Sequence, residues 1–105
     1  MKLFDIAHSR AGDKGNTLIL SLIPYDEADY EMLCSKVTAE KAKTHLKEIV
    51  RGEIIRYELP NISSLVFVCQ NALSGGVTTS LALDPHGKSL SYALLEMEID
   101  IPNYL

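Results

Sequence analysis

The stretch Thr17-Leu18-Ile19-Leu20-Ser21-Leu22-Ile23 is a nearly continuous apolar run of strand length. Such a run predicts a strand that is buried on both faces. Directly before it lies Ala7-His8-Ser9-Arg10-Ala11-Gly12-Asp13-Lys14-Gly15-Asn16-Thr17, which combines two glycines with an Asp, an Asn and two cations. Residues of these types favour turns with free backbone N–H groups, and the cations beside them suit an anion. The sequence therefore predicts a glycine loop with a site, followed by a buried strand.

The segment after this strand carries two helical patterns. Pro24 predicts the end of the strand, and the acidic Asp26 suits the start of a helix. Thr38 suits the N-cap of a second helix, which is predicted to run to Val50 and to stop at Gly52.

The second half of the chain combines extended and helical patterns. Residues 53–59 alternate, with Ile55, Tyr57 and Leu59 on one face, which predicts a half-buried strand. Apolar residues in 62–73 repeat at helical spacing and predict a helix. Three further segments are predicted from similar signals: a strand over 77–83, a turn over 84–88, and a helix that is capped by Ser89 and carries Leu90, Ala93, Leu94 and Met97.

Strands interleaved with helices in 105 residues predict one domain, residues 1–105, of the α+β class. The expected architecture is a two-layer sandwich, in which helices pack on one sheet. A small three-layer α/β fold is the alternative, although 105 residues make it hard to cover both faces of a sheet.

Composition excludes several classes of protein. The net charge is −4, which argues against a general nucleic-acid-binding surface. The sequence has no apolar run of the length of a membrane span, and no signal-peptide pattern follows Met1. We therefore expect a soluble, cytoplasmic chain without a nucleic-acid or membrane partner.

Cysteine and histidine spacing gives no support to a metal site. Cys34 and Cys69 lack a CxxC spacing and are predicted to be small core residues in a reducing compartment. The three histidines are scattered, at positions 8, 45 and 86. We expect neither a metal nor a cofactor.

Three glycine loops are the candidate site. Gly12-Asp13-Lys14-Gly15 and Asp84-Pro85-His86-Gly87-Lys88 share an Asp, Gly, Lys set, and Ser74-Gly75-Gly76 lies between them in sequence. The candidate ligand-binding residues are Ser9, Arg10, Gly12, Asp13, Lys14, Gly15, Asn16, Gly75, Gly76, Asp84, Gly87 and Lys88. Ordinary turn chemistry is the alternative explanation for each loop. The spacings of a P-loop and of a GxGxxG motif are absent from the sequence.

The neighbours His8 and Ser9 do not predict a hydrolase dyad. Adjacent residues of an extended chain point to opposite sides, so the imidazole and the hydroxyl would diverge. No catalytic residue is assigned from the sequence.

The segment Asp5-Ile6-Ala7-His8-Ser9-Arg10-Ala11-Gly12-Asp13-Lys14-Gly15-Asn16 resembles the start of the AtuA-like domain. That domain is found at the C-terminus of acyclic terpene utilisation proteins and as short separate chains. The likeness covers essentially the whole chain and departs at Ser9-Arg10-Ala11, where the family more usually has Ala-Arg-Ser. Later motifs fit in the same order: Arg56-Tyr57-Glu58-Leu59-Pro60-Asn61, Gly75-Gly76-Val77-Thr78, Asp84 with Gly87-Lys88-Ser89-Leu90, and Leu94-Leu95-Glu96-Met97-Glu98-Ile99.

The resemblance implies a ferredoxin-like α+β domain and a link to the catabolism of branched or terpenoid acyl-CoA compounds. It implies no reaction for the small domain by itself. The first hypothesis is therefore an accessory subunit that pairs with a larger AtuA-type chain or with itself as a homo-oligomer. Such a subunit should expose an apolar patch, which we expect to include Phe67, Tyr92 and Tyr104.

The second hypothesis is an independent small enzyme or ligand-binding protein. In that case Arg10, Lys14 and Lys88 would bind a small anionic ligand such as a carboxylate or a CoA phosphate, and the glycine loops would supply backbone donors. Convergence of Lys14 and Lys88 on one pocket would favour this hypothesis.

Overall fold

The computed structural model describes residues 1–14, 17–47, 50–70 and 88–100, and for residues 13, 14 and 88–90 it describes the backbone. The strands in these ranges are β1 (Ala7–Lys14), β2 (Thr17–Pro24), β3 (Ile54–Leu59) and β4 (Ser64–Cys69). The α-helices are α1 (Tyr30–Lys36), α2 (Ala39–His45) and α3 (Lys88–Leu95).

The four strands form one antiparallel sheet in the order β1-β2-β4-β3. Because β4 is antiparallel to both of its neighbours, β2 and β3 run in the same direction and are connected through α1 and α2. This is a split β-α-β arrangement. The first strand, β1, pairs with β2 from Ala7 opposite Pro24 to Lys14 opposite Thr17. Within the described residues, β1 and β3 are therefore the two edges of the sheet.

Alternate side chains of the sheet form the core, together with the helices. The buried sheet residues are Ala7, Leu18, Leu20, Leu22, Ile54, Leu65, Phe67 and Cys69. They share one face, because they occupy every second position and lie opposite one another in the strand register. The described helices cover this face through Leu33, Ala42 and Leu94, together with Val37 and Leu46, which directly follow α1 and α2. The predicted α+β two-layer architecture is confirmed, and the three-layer alternative is wrong for the described elements.

The strand predicted from the apolar run is confirmed, but its predicted burial on both faces is wrong. Leu18, Leu20 and Leu22 are buried, whereas Ile19 is 38% exposed. Apolar residues occupy both sides of β2, and the described helices cover one of them. The apolar composition of a strand does not tell whether a layer covers its second face.

The predicted glycine loop is a strand as far as Lys14. Its residues pair with β2 in unbroken register. Ala7, Ser9 and Ala11 place small side chains on the helix-facing side of β1, where α3 packs on the strand. Turn-forming residue types were therefore misleading over most of this stretch. Residues 15–16 lie outside the described residues.

The predicted helix over 62–73 is also wrong, because Ser64–Cys69 form β4. Leu65, Phe67 and Cys69 are buried, while Val66 and Val68 are half-buried on the opposite face. The period is therefore two. The apolar residues on both faces of the strand imitate helical spacing when they are read along the sequence. Residues 71–73 lie outside the described part of the chain.

The predicted helix starts agree with the structure better than the predicted helix ends. The Thr38 hydroxyl accepts a hydrogen bond from the Lys41 backbone N–H at 3.1 Å, which confirms the N-cap of α2. However, α2 ends at His45 and not at Val50. The helix predicted after Ser89 is present as α3, but it begins at Lys88, so Ser89 lies inside the helix and its prediction as the N-cap is wrong. The predicted strand over 77–83 and the turn residues 84–87 lie outside the described residues.

The two ends of the described chain lie side by side. The Leu3 backbone N–H donates to the Met97 carbonyl at 3.0 Å, and the Ile99 N–H donates to the Met1 carbonyl at 2.9 Å. An isolated antiparallel bridge between Lys2 and Glu98 lies at the same place.

Arg56 joins β3 to the turn between α1 and α2. Its guanidinium donates hydrogen bonds to the backbone carbonyls of Cys34 at 2.6 Å and Val37 at 3.2 Å, and to the Glu58 carboxylate at 2.8 Å. The Arg56 side chain is 19% exposed. A planar guanidinium can serve two carbonyls at once, so Arg56 satisfies groups left unpaired at the end of α1.

Replacing Arg56 with alanine is expected to lower the free energy of unfolding by about 2 kcal/mol, because two carbonyls lose a charged donor. Urea unfolding measures this change. The control Glu58→Gln loses the exposed ion pair and keeps the carbonyl contacts, so its loss should stay below about 1 kcal/mol. Equal stability of Arg56→Ala and the unmodified chain would contradict the assigned role.

Candidate functional site

The sheet face opposite the described helices is the candidate site, and we call it the open face. Its apolar members are Ile19, Ile23, Ile55, Tyr57, Leu59, Val66 and Val68. Its polar members with a described side chain are His8, Arg10, Thr17, Ser21 and Ser64, and Gly12 lies among them on β1.

The open face is apolar to an unusual degree for an outward-facing sheet. An antiparallel sheet with one covered face normally carries polar residues on the other. Here Tyr57 is 51% exposed and Leu59 is 38% exposed. A contiguous exposed apolar patch is typical of an interaction surface.

The apolar patch differs from the one predicted from the sequence. Phe67 is wrong as a member, since it points into the core and is fully buried. Tyr92 is exposed at 63%, as predicted, and it lies on α3 and not on the open face. Tyr104 lies outside the described residues.

The β1 side of the open face is polar and cationic. Arg10 is exposed, and among the described residues no carboxylate pairs with it. The His8 ring stacks on the Tyr25 ring with a centroid distance of 5.5 Å. The Ser21 hydroxyl accepts a hydrogen bond from the Arg10 N–H at 3.1 Å and donates to the Arg10 carbonyl at 3.3 Å. The open face therefore has a cationic edge beside an apolar centre.

Strand geometry separates two of the predicted ligand-binding residues. Arg10 lies on the open face, whereas Ser9 lies opposite Leu22 on the helix-facing side. The Ser9 hydroxyl oxygen is buried, and it has no hydrogen-bond partner among the described residues. A ligand on the open face would contact Arg10 and not Ser9. The same alternation places His8 and Ser9 on opposite faces, as predicted.

Of the remaining predicted ligand-binding residues, the structure describes some and leaves others outside the described part. Gly12, Asp13 and Lys14 belong to β1, where Gly12 is opposite Ile19 and Lys14 is opposite Thr17. Lys88 is the first residue of α3. The side chains of Asp13, Lys14 and Lys88 lie outside the described part, so the convergence of the two lysines stays a prediction. The same holds for the residues whose backbone is also outside it: Gly15, Asn16, Gly75, Gly76, Asp84 and Gly87.

Two described groups have a pKa that burial raises, and neither is a reactive group at neutral pH. Burial raises the pKa of the Cys69 thiol to about 11, so it stays protonated and is a poor nucleophile. Burial, with Cys34 beside it, also raises the pKa of Tyr30 to about 12. In the described ranges, no group of three or more His, Cys, Asp or Glu side chains could hold a metal ion.

A groove on another side of the molecule is separate from the predicted ligand-binding residues. It has a volume of about 550 Å³ and lies between α2 and the C-terminal segment. Its lining includes Glu40, Lys41, His45 and Glu96, and none of the predicted ligand-binding residues is among the described residues that line it. This groove is therefore not the site that was predicted from the glycine loops.

The family model of the AtuA ferredoxin-like domain matches residues 1–100. The chain belongs to this family. Comparison with curated proteins and with solved structures gave no significant match.

Membership of the AtuA ferredoxin-like domain family confirms the resemblance drawn from the sequence motifs and the predicted ferredoxin-like fold. The four-stranded antiparallel sheet with its helices on one face agrees with it. Among the described helices, no segment has the length and apolar composition of a membrane span.

Sequence reasoning missed the open face of this AtuA ferredoxin-like domain, although the signal was present. Ile55, Tyr57 and Leu59 share one side of β3, and this alternation was interpreted as half-burial. The structure covers the other side of the strand, where Ile54 is buried. A strand with an apolar outer side and a buried inner Ile indicates a second contact surface.

A substitution at Gly12 shows whether the fold of the single chain requires a glycine at this position. It lies in regular strand without a left-handed φ, and no atom lies within 4 Å of where a Cβ would stand. Gly12→Ala is therefore expected to raise the free energy of unfolding by roughly 0.5–1 kcal/mol, because alanine loses less backbone entropy on folding. Urea unfolding at low protein concentration measures this effect.

The matched control is Ala11→Gly, the reverse change on the helix-facing side of the same strand, which should lower stability. Destabilisation by Gly12→Ala would show that the fold itself requires a glycine at position 12.

Proposed function

We propose that this chain is an accessory domain of an enzyme that handles branched or terpenoid acyl-CoA compounds. It would work in an assembly with a larger AtuA-type chain, and its open face would be the assembly surface. The partner would be protein and not nucleic acid or membrane, in keeping with the net charge of −4. The assembly would be cytoplasmic, which suits the free thiols of Cys34 and Cys69.

The observation that carries this proposal is the contiguous apolar surface of the open face. Residues on β2, β3 and β4 contribute to it, including Ile19, Ile55 and Val66. A sheet face of this kind suits the broad, flat contact of protein on protein, whereas small-molecule sites are concave. Burial of its exposed apolar area in an assembly would stabilise that assembly by the hydrophobic effect.

The positions of the described nucleophilic and basic side chains also support an accessory role. The buried thiol of Cys69 is protonated at neutral pH. The Ser9 hydroxyl and the His8 ring are on opposite faces of β1, so they do not form a nucleophile–base pair. The catalytic groups of the assembly would then belong to the larger chain.

A second candidate function is the binding of a carboxylate or a CoA phosphate, and the exposed guanidinium of Arg10 favours it. Arg10 has no carboxylate partner among the described residues, and a guanidinium suits these anions. A thermal shift with CoA that is lost in Arg10→Ala would support this function. The same protein can serve both roles if the anion is bound where the two chains meet.

The assembly is tested by co-expression with the larger AtuA-type chain of the same genome. Val66→Asp places a charge in the centre of the open face and is expected to abolish co-elution, because an unpaired carboxylate would be buried in the interface. Size-exclusion chromatography measures the loss. Urea unfolding of the isolated variant verifies that its fold is retained.

The control Tyr92→Asp changes an aromatic residue that is exposed on α3, away from the open face. It should leave co-elution unchanged. Co-elution of the Val66→Asp variant at the level of the unmodified chain would refute the open face as the assembly surface.

A further inference from the structure

The strand register arranges the residues of the open face in rows that cross the sheet. In one row Arg10 is opposite Ser21, Ser21 is opposite Val66, and Val66 is opposite Tyr57. With strands about 4.8 Å apart, Arg10 and Tyr57 are about 14 Å from each other, at equal distances from the centre of the sheet.

The next row has the same layout. Gly12 is opposite Ile19, Ile19 is opposite Val68, and Val68 is opposite Ile55. One end of this row has no side chain, and the other end carries an isoleucine that is 37% exposed.

The two ends of each row are complementary to each other. A guanidinium binds well over the face of an aromatic ring, so Arg10 suits a tyrosine. The open space above Gly12 suits a protruding aliphatic side chain such as Ile55. A surface whose opposite ends are complementary in this way matches a copy of itself after a two-fold rotation.

We propose that a second copy of this chain covers the open face, related by a two-fold axis that runs parallel to the strands. This inference rests on the proposed role of the open face as an assembly surface: in the isolated protein the second copy occupies the face that the larger chain would cover in the assembly. The rotation places β1 of one copy over β3 of the other. Arg10 then lies over the partner's Tyr57, and Gly12 lies under the partner's Ile55, each contact occurring twice.

This packing explains why position 12 is a glycine, which the structure of the single chain does not explain. In the strand of one copy, nothing within 4 Å would meet a Cβ at this position, and the backbone has no left-handed φ. Sheets that pack face to face lie about 10 Å apart with interdigitating side chains. A glycine at position 12 leaves room for the Ile55 side chain of the second copy.

The centre of the row through Arg10 can be buried without leaving a polar group unpaired. The Ser21 hydroxyl already bonds to the N–H and the carbonyl of Arg10. Its neighbour in the row, Val66, is apolar. When the dimer buries the Ser21 hydroxyl, this group keeps both hydrogen bonds, so its burial does not cost the free energy of an unpaired polar group.

Charge distinguishes this packing from the other two-fold arrangement of two open faces. An axis perpendicular to the strands would place β1 over β1 of the second copy and keep both Arg10 guanidinium groups on the same edge of the interface. Like charges that share one edge of an interface repel each other. The axis parallel to the strands separates the two guanidinium groups to opposite edges of the interface.

The size of the open face indicates a dimer that dissociates on dilution. Four strands of six residues span about 19 Å by 20 Å, which gives roughly 400 Å² in flat projection for each copy. Side chains that protrude increase the accessible area above this value. The contact is then at the low end of the range for specific interfaces, where association is weak or transient.

Sedimentation velocity on the purified full chain over a concentration series tests the dimer. The unmodified chain is expected to shift from dimer to monomer on dilution. Tyr57→Arg opposes two cations in each of the two contacts and should raise the dissociation constant roughly 100-fold. Arg10→Tyr removes both cation–aromatic contacts and should raise it roughly tenfold.

The double variant Arg10→Tyr with Tyr57→Arg exchanges the ends of the row. Each cation again faces a ring after the two-fold rotation, so the dissociation constant should return to within about threefold of the original value. An interface that involved these residues in another geometry would not be restored by the exchange.

Gly12→Val gives a second measurement of the same contact. It should weaken the dimer because valine occupies the space of the partner's Ile55, and Ile55→Ala in the same chain should restore it. The control Tyr92→Arg changes an exposed aromatic residue on α3 and should leave the dissociation constant unchanged.

Two results would overturn the inference: a monomer at every concentration, or a dimer whose double variant is as weak as Tyr57→Arg alone. In either case a separate experiment decides the proposed assembly role. Co-elution of the larger chain with the unmodified chain, and its loss with Val66→Asp, would support that role. Unchanged co-elution with Val66→Asp would refute it.

Discussion

The burial of one face of β2 and β4 is the constraint on which the rest of the structure depends. Leu18, Leu20 and Leu22 alternate along β2 and meet Leu65, Phe67 and Cys69 of the neighbouring β4. Because both strands occupy the middle of the sheet, their buried sides define one layer of the core. The described helices complete that layer from a single side. The other side of the same strands is left apolar and exposed, and this surface is the open face.

The same alternation decides which residues of the glycine-rich motif act together. As a loop, Ser9, Arg10 and Gly12 could have surrounded one anion. In the strand, Ser9 faces the helices, whereas Arg10 and Gly12 lie on the open face. The motif then contributes a cation and an open space to one edge of a broad surface. We propose that this signature, for these residues, belongs to the edge of an interaction surface and not to a ligand loop.

Much of the fold could be predicted from local sequence, and the errors share one physical cause. Thr38 caps α2 as expected, because capping is a local hydrogen bond. Residues 62–73 were predicted as a helix because Val66 and Val68 are apolar on the side opposite Phe67, so the period of two was hidden. The apolar residues on both sides of β2 led to predicted burial on both faces for the same reason. Local sequence reports which side chains are apolar, whereas the tertiary packing determines which of them are covered.

The open face was not predicted because its residues come from strands that are distant in sequence. Arg10 and Tyr57 are 47 positions apart (57 − 10), and the strand register brings them into one row. No local pattern reports such a row. Gly12 gave a misleading signal, since a glycine next to Asp13 and Lys14 is typical of a turn.

The central claim is that the open face becomes covered when the protein assembles. Oxidative footprinting of tyrosines, read by mass spectrometry in concentrated and in diluted protein, tests it most directly. Tyr57 on the open face and Tyr92 on α3 are both well exposed in the single chain, at 51% and 63%. We expect the oxidation rate of Tyr57 to fall in the concentrated protein, or when the larger chain is added, while that of Tyr92 stays constant. Equal oxidation of Tyr57 under all of these conditions would contradict the claim.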